Sequence, residues 1–153
     1  MQKIIFYALL LADLMITNAF AYEYIATIIN VADGDTFTAF VHNENTKIRL
    51  IGVDCYETKM NKRAPIQKKL YNLPYTEIFK LGKQSKKKLK NLLQNHRYVH
   101  VKWNERDGYG RILGQVLIDD IKSAEIIDVN QYMLEHGGCN KFVKTSKSKK
   151  NKK

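Results

Sequence analysis

Hydrophobic and polar positions along this chain switch between a period of two and a period near four. Tyr24 to Val31 (YIATIINV) is rich in β-branched residues and reads as a strand. Ala32-Asp33-Gly34-Asp35 interrupts it with turn residues. Thr36 to Val41 alternates bulky and small side chains as a second strand, and His42 to Thr46 is a polar hairpin loop. Lys47 to Val53 (KIRLIGV) is a third strand, with Ile48, Leu50 and Gly52 on one face and Arg49, Ile51 and Val53 on the other. Thr58 to Pro74 is irregular, basic and punctuated by Pro65 and Pro74, which predicts a long surface loop.

The period then lengthens. From Thr76 to Asn95, Ile78, Leu81, Leu89, Leu92 and Leu93 can share one helical face opposite a run of lysines. Thr76 is the expected N-cap, and Gly82 weakens the helix. Tyr98 to Trp103 alternates as a fourth strand, Arg106 to Gly110 is a turn, and Arg111 to Ile118 is a fifth strand. Asp119 to Glu125 reads as a loop. Asp128 caps a short helix, Val129 to His136, which Gly137 ends. Three strands, a helix, two strands and a helix suit a mainly β fold: a five-stranded Greek-key barrel of the OB type, plugged at one end by a helix.

The two ends fall outside this pattern. Met1 to Ala21 has a positive Lys3, an apolar run from Ile4 to Leu11 and a small-x-small site at Ala19-Phe20-Ala21. It reads as a secretory signal, although Asp13 interrupts its apolar stretch, and it predicts a mature chain beginning at Tyr22 that is secreted or periplasmic. A retained signal would instead tether the protein to a membrane. Lys141, Lys144, Lys147, Lys149, Lys150, Lys152 and Lys153 sit among polar residues with no apolar period. The expectation is a lysine-rich tail over 144–153, disordered from about Thr145. The folded unit is then 22–143. The formal charge is +11, of which these seven lysines leave +4 on the rest, so the chain favours polyanions. Cys55 and Cys139 lack histidines at zinc-site spacing, and whether they pair is left open.

Four separated segments carry candidate chemistry: Asp33-Gly34-Asp35-Thr36, Arg49, Asp54 to Thr58, and Asp107 to Arg111. Each lies at a strand end or in the turn beside it, where a scaffold presents functional side chains. Alone, a DGD turn is ordinary Asx-turn chemistry and a strand arginine snorkels to solvent. Together they are more demanding. Asp35 and Asp54 border neighbouring strands, so their carboxylates could converge on Ca²⁺ or Mg²⁺. Glu57 is placed to take a proton from water, and Arg49 and Arg111 supply planar forks for phosphate oxygens. Phosphodiester hydrolysis uses such a set.

The series D-G-D-T, R, V-D-x-x-E-T and D-x-Y-G-R resembles the staphylococcal nuclease (thermonuclease) family from about Tyr24 to Gly138. The resemblance implies a five-stranded OB barrel with helices and cleavage of DNA and RNA to 3′-phosphate products. It implies that Asp35 and Asp54 bind Ca²⁺, with Cys55 contributing its backbone carbonyl so that its side chain matters little. By the same resemblance Glu57 is the general base, Arg49 and Arg111 clamp the phosphate, Tyr109 lies near it, and Asp33 stands beside the metal without binding it. Many members carry a proline where Tyr56 stands and a basic residue where Gly108 stands, and their C-terminal helix with its stacking tyrosines is not matched after Gly138.

The nuclease competes with a non-catalytic OB module that binds single strands. Three carboxylates beside a phosphate would repel it without a cation, which favours catalysis. A monomer acting on nucleic acid is expected. His96 and His100 do not share a helical face and are not read as a metal pair, while Tyr98 and Trp103 read as packing or rim residues.

Overall fold

A computed structural model describes residues 22–120 and 124–143; the signal and tail expectations lie outside these residues. Strand β1 (Tyr22–Val31) pairs antiparallel with β2 (Thr36–Val41), which pairs with β3 (Glu44–Leu50). The short β4 (Val53–Asp54) follows a turn at Ile51-Gly52, where Gly52 adopts φ 76°. After two helices, β5 (Tyr98–Arg106) returns beside β1, and β6 (Ile112–Asp120) pairs with β5. A parallel contact between β3 and β6, Ile48 to Ile112 and Leu50 to Gly114, closes β1-β2-β3-β6-β5 into a five-stranded OB barrel.

The period-two pattern explains its interior. Ala26, Phe37, Ala39, Ile48, Val99, Val101, Ile112 and Val116 point inward and are excluded from solvent. Helix α2 (Tyr75–Leu93) buries Ile78, Gly82, Ser85, Leu89 and Leu93, and Leu89 and Leu93 join the barrel core. Pro74 stands at its N-cap rather than Thr76. Helix α3 (Val129–Glu135) is capped by Asp128, which accepts from the Gln131 N–H at 3.1 Å, and buries Val129 and Met133. Its buried Asn130 accepts from Val116 N at 2.9 Å and donates to Ile51 O and Gly114 O at 2.9 and 3.0 Å. One amide thereby ties α3 to the strand ends at the seam.

Other sequence expectations change too: the third strand, expected over 47–53 after a loop at 42–46, runs over Glu44–Leu50 and breaks at the Ile51-Gly52 turn. The segment expected as a loop contains helix α1 (Ala64–Tyr71). Pro65 sits in its first turn, where a missing N–H costs nothing. The Asn61 side chain accepts from Arg63 N and Ala64 N at 2.9 and 3.0 Å, and left-handed Asn72 ends the helix. The loop expected over 119–125 is shortened: β6 runs to Asp120, and β7 (Glu125–Asp128) pairs back onto it. Lys141, counted with the tail, lies in β8 (Asn140–Lys141), which pairs with β4. A Cys55–Cys139 disulfide, with Cα atoms 4.2 Å apart, joins the same two segments.

Candidate active site

The turn after β1 is shaped by packing. A Cβ at Gly34 would lie 2.7 Å from Ser85 Cβ and 2.8 Å from Cys55 Cβ, so only glycine passes between α2 and the disulfide. The turn delivers Asp35 to the interior, where it is 3 % exposed. Its Oδ1 accepts from Arg49 and from Thr36 Oγ1 at 3.0 Å, and its Oδ2 accepts from Cys55 N at 2.8 Å. The second nitrogen of the Arg49 fork donates to Val53 O at 3.2 Å and stands 3.8 Å from Asp54 Oδ1. One guanidinium thus spans both aspartates. Burial pushes the Asp35 carboxyl up to about 7, against the pull of Arg49. Asp33 is half-buried nearby, and its charge raises Asp35 further.

Asp54 is fully buried and heavily partnered. Arg63 Nε donates to Oδ1 at 3.1 Å and its terminal nitrogen to Oδ2 at 2.8 Å. Gln67 Nε2 reaches Oδ1 at 3.4 Å and the Tyr71 hydroxyl donates to Oδ2 at 3.1 Å. Burial together with the Asp54 charge pushes the Tyr71 phenol well above its ordinary value. Burial works against the Arg63 charge, but the Asp54 contacts outweigh it and raise its pKa.

The Cys55–Glu57 segment is held from three sides. Gln67, fully buried on α1, accepts from Glu57 N at 3.0 Å and donates to Cys55 O at 2.8 Å. The disulfide fixes Cys55, so its side chain, expected to matter little, is structural. On the third side a Cβ at Gly82 would lie 2.3 Å from Glu57 O and 2.6 Å from Tyr56 O. The helix backbone therefore rests directly on the segment. Tyr56 packs edge-on to Tyr71 with ring centroids 5.3 Å apart. These contacts do the stiffening that a proline at position 56 would do. The Glu57 carboxylate accepts from Asn61 Nδ2. Its pKa is raised by burial, opposed by that hydrogen bond and reinforced by the charge of Asp35.

Across the cleft, Asp107 organises the turn before β6. Its Oδ1 accepts from Tyr109 N and Arg111 N at 2.9 and 3.0 Å, and its Oδ2 accepts from Arg111 Nε at 2.7 Å. Burial works against the Asp107 charge, yet these donors win and lower its pKa. The Arg111 guanidinium lies over the Tyr109 ring, 5.4 Å from its centroid, and that ring is largely exposed.

Arg49, Glu57, Arg63, Tyr109, Arg111 and Phe142 line one open cleft of about 710 Å³. Asp35 and Asp54 lie behind Arg49 and Arg63 rather than on its wall. Sequence reasoning missed Asn61, Arg63, Gln67 and Tyr71. The available signal was Ala64, Gln67 and Tyr71 recurring on one helical face around a first-turn proline, Pro65.

Among the described residues no three His, Cys, Asp or Glu side chains form a ready metal cage. The charges nevertheless fit a divalent cation. Four carboxyl groups, those of Asp33, Asp35, Asp54 and Glu57, outnumber the two guanidinium groups of Arg49 and Arg63 beside them. The donors are all oxygens, the chemistry of Ca²⁺ and Mg²⁺ sites.

Comparison with known proteins matches the chain to a family. The model of the staphylococcal nuclease homologues matches residues 47–153. The chain belongs to the staphylococcal nuclease homologue family. Within that likeness, it is 31% identical over 128 residues to an uncharacterized protein, MJ1439, of Methanocaldococcus jannaschii, covering 79% of this chain and 60% of that protein. It is 32% identical over 112 residues to an uncharacterized endonuclease of Escherichia coli, covering 73% of this chain and 57% of that protein. An uncharacterized endonuclease of Escherichia coli O157:H7 is 31% identical over 112 residues. The chain thus spans less than two thirds of the length of these curated relatives.

Proposed function

We propose that this chain is a secreted, Ca²⁺-dependent nuclease that hydrolyses DNA and RNA to 3′-phosphate products. The observation that carries the reading is the shared cleft: Arg49, Glu57 and Arg111 face one space, with two buried carboxylates behind them. Membership of the nuclease homologue family and relatives named endonucleases support it.

Arg49 and Arg111 would grip the non-bridging oxygens of a phosphodiester and hold it against Glu57. Glu57, with its proton affinity raised by burial, would orient a water and take its proton as the oxygen attacks phosphorus. The bond from phosphorus to the 5′ oxygen breaks as the new one forms; that oxygen leaves as a hydroxyl with a proton from solvent, and the phosphate stays on the 3′ side. Asp35, Asp54 and the Cys55 carbonyl are the ligands proposed for the cation. When bound, the cation polarises a phosphoryl oxygen and neutralises developing charge. Asp33 would add negative charge to the site without binding the ion, and Tyr109 would flank the phosphate. The reading of Met1–Ala21 as a signal and the Cys55–Cys139 disulfide both support an oxidising, extracytoplasmic setting.

A non-catalytic OB module would also offer a basic cleft, but it has no use for a half-buried Glu57 oriented by Asn61. Mass spectrometry of oligonucleotides incubated with the protein and Ca²⁺ separates the two. Fragments ending in 3′-phosphate and 5′-hydroxyl are expected. Oligonucleotides that bind yet stay intact would establish the binding module instead.

A further inference from the structure

We propose that Arg63 is an internal competitor for the cation site, which must leave Asp54 before a divalent ion can bind there. The inference rests on the cation reading above. Asp54 has no free lone pair: Arg63 Nε and Gln67 Nε2 approach Oδ1, while the Arg63 terminal nitrogen and Tyr71 hydroxyl approach Oδ2. An arriving ion has to displace one of these donors. Gln67 cannot leave without releasing Glu57 N and Cys55 O. Tyr71 is neutral and does not repel the ion. Arg63 carries the positive charge, and two like charges cannot share one buried carboxylate cheaply.

Arg63 also borders the open cleft. Its guanidinium lies over the Phe142 ring, 5.2 Å from the centroid, and its side chain lines the cleft proposed for substrate. Displaced from Asp54, it joins Lys47 and Lys62 on the wall of that cleft, beside the phosphate position. The resident arginine keeps the buried carboxylate neutralised until a cation takes over. Cation affinity is thereby set by a residue that is not itself a ligand.

The test is calorimetric titration of CaCl₂ into the full chain, comparing wild type with Arg63→Gln and Arg63→Lys. Arg63→Gln is expected to bind Ca²⁺ on the order of tenfold more tightly, because the competing charge is gone. Arg63→Lys, which keeps charge but loses the fork, should fall between. Thermal melting supplies a second readout. In EDTA, Arg63→Gln should melt below wild type because Asp54 keeps only the longer 3.8 Å approach of Arg49 as a positive partner, and Ca²⁺ should close that gap. A merely misfolded loop would not be rescued. Equal or weaker Ca²⁺ affinity in both variants, with wild type binding normally, overturns the competition alone. No Ca²⁺ binding by any of the three proteins overturns the cation reading and the competition with it.

Discussion

Gly82→Ala is the sharpest single perturbation of the proposed site, because the residue touches no substrate and carries no chemistry. The added Cβ would stand 2.3 Å from Glu57 O, 2.6 Å from Glu57 C and 2.6 Å from Tyr56 O, where ordinary contact begins at 3.4 Å. All three atoms are backbone, so no flexible side chain can yield. Helix α2 and the Glu57 segment must separate by roughly 1 Å to relieve the overlap. Overpacking of this kind costs about 1–3 kcal/mol. Replacing glycine inside a helix returns about 1 kcal/mol of propensity. The net loss, up to about 2 kcal/mol, should lower the melting temperature by roughly 4–8 °C at most. Catalysis should suffer far more, since displacing a reacting group by about 1 Å costs on the order of 10²-fold in rate. The assay is turnover of a fluorogenic single-stranded oligonucleotide in Ca²⁺, paired with a melting curve of the same preparation. Turnover equal to wild type would show that the helix does not position Glu57.

Other outcomes follow from the same contacts. Glu57→Gln should lower turnover about 10²–10⁴-fold while leaving oligonucleotide affinity nearly unchanged, whereas Arg111→Ala should damage both; gel-shift and turnover assays side by side check the contrast. The Asp35 carboxyl, raised from 3.8 to about 7 in the fold, binds a proton there at pH values where the unfolded chain has lost it. Its contribution to stability is therefore present at low pH and lost as pH rises from 3.8 to about 7. In EDTA, wild type should melt lower at pH 8 than at pH 5, and Asp35→Asn should flatten that slope; equal slopes would remove Asp35 as its source. Cys139→Ser opens a cross-link spanning 84 residues, and urea unfolding should register a loss of about 2–5 kcal/mol. An unchanged midpoint would mean that the β4–β8 pairing alone holds these segments.

The barrel was legible in the sequence because its strands carry their own signal. Thr36–Val41 alternates, and every second residue, Phe37, Ala39 and Val41, is buried in the core. Helix α1 was hidden because eight residues with Pro65 in the first turn have little intrinsic helicity, and its support is tertiary, through Gln67 and Tyr71. Strands β7 and β8 are short and defined only by their partners. Gly82 reads as a weak point along the helix, but its role is set by a loop 25 positions earlier that no local window contains. The same holds at the site. Arg49, Glu57, Tyr109 and Arg111 were visible as motif positions, and the structure gathers them around one cleft. Arg63 and Asn61 sit in a stretch whose composition suggests only a basic loop, so their partners Asp54 and Glu57 become evident only in three dimensions.

The most direct test of the central claim is digestion of a single-stranded DNA by the purified chain at fixed pH, with Ca²⁺ and then with excess EDTA. Progressive shortening of the strand is expected in Ca²⁺ and none in EDTA. A strand that stays full length in Ca²⁺, or one cut equally well in both conditions, would contradict it.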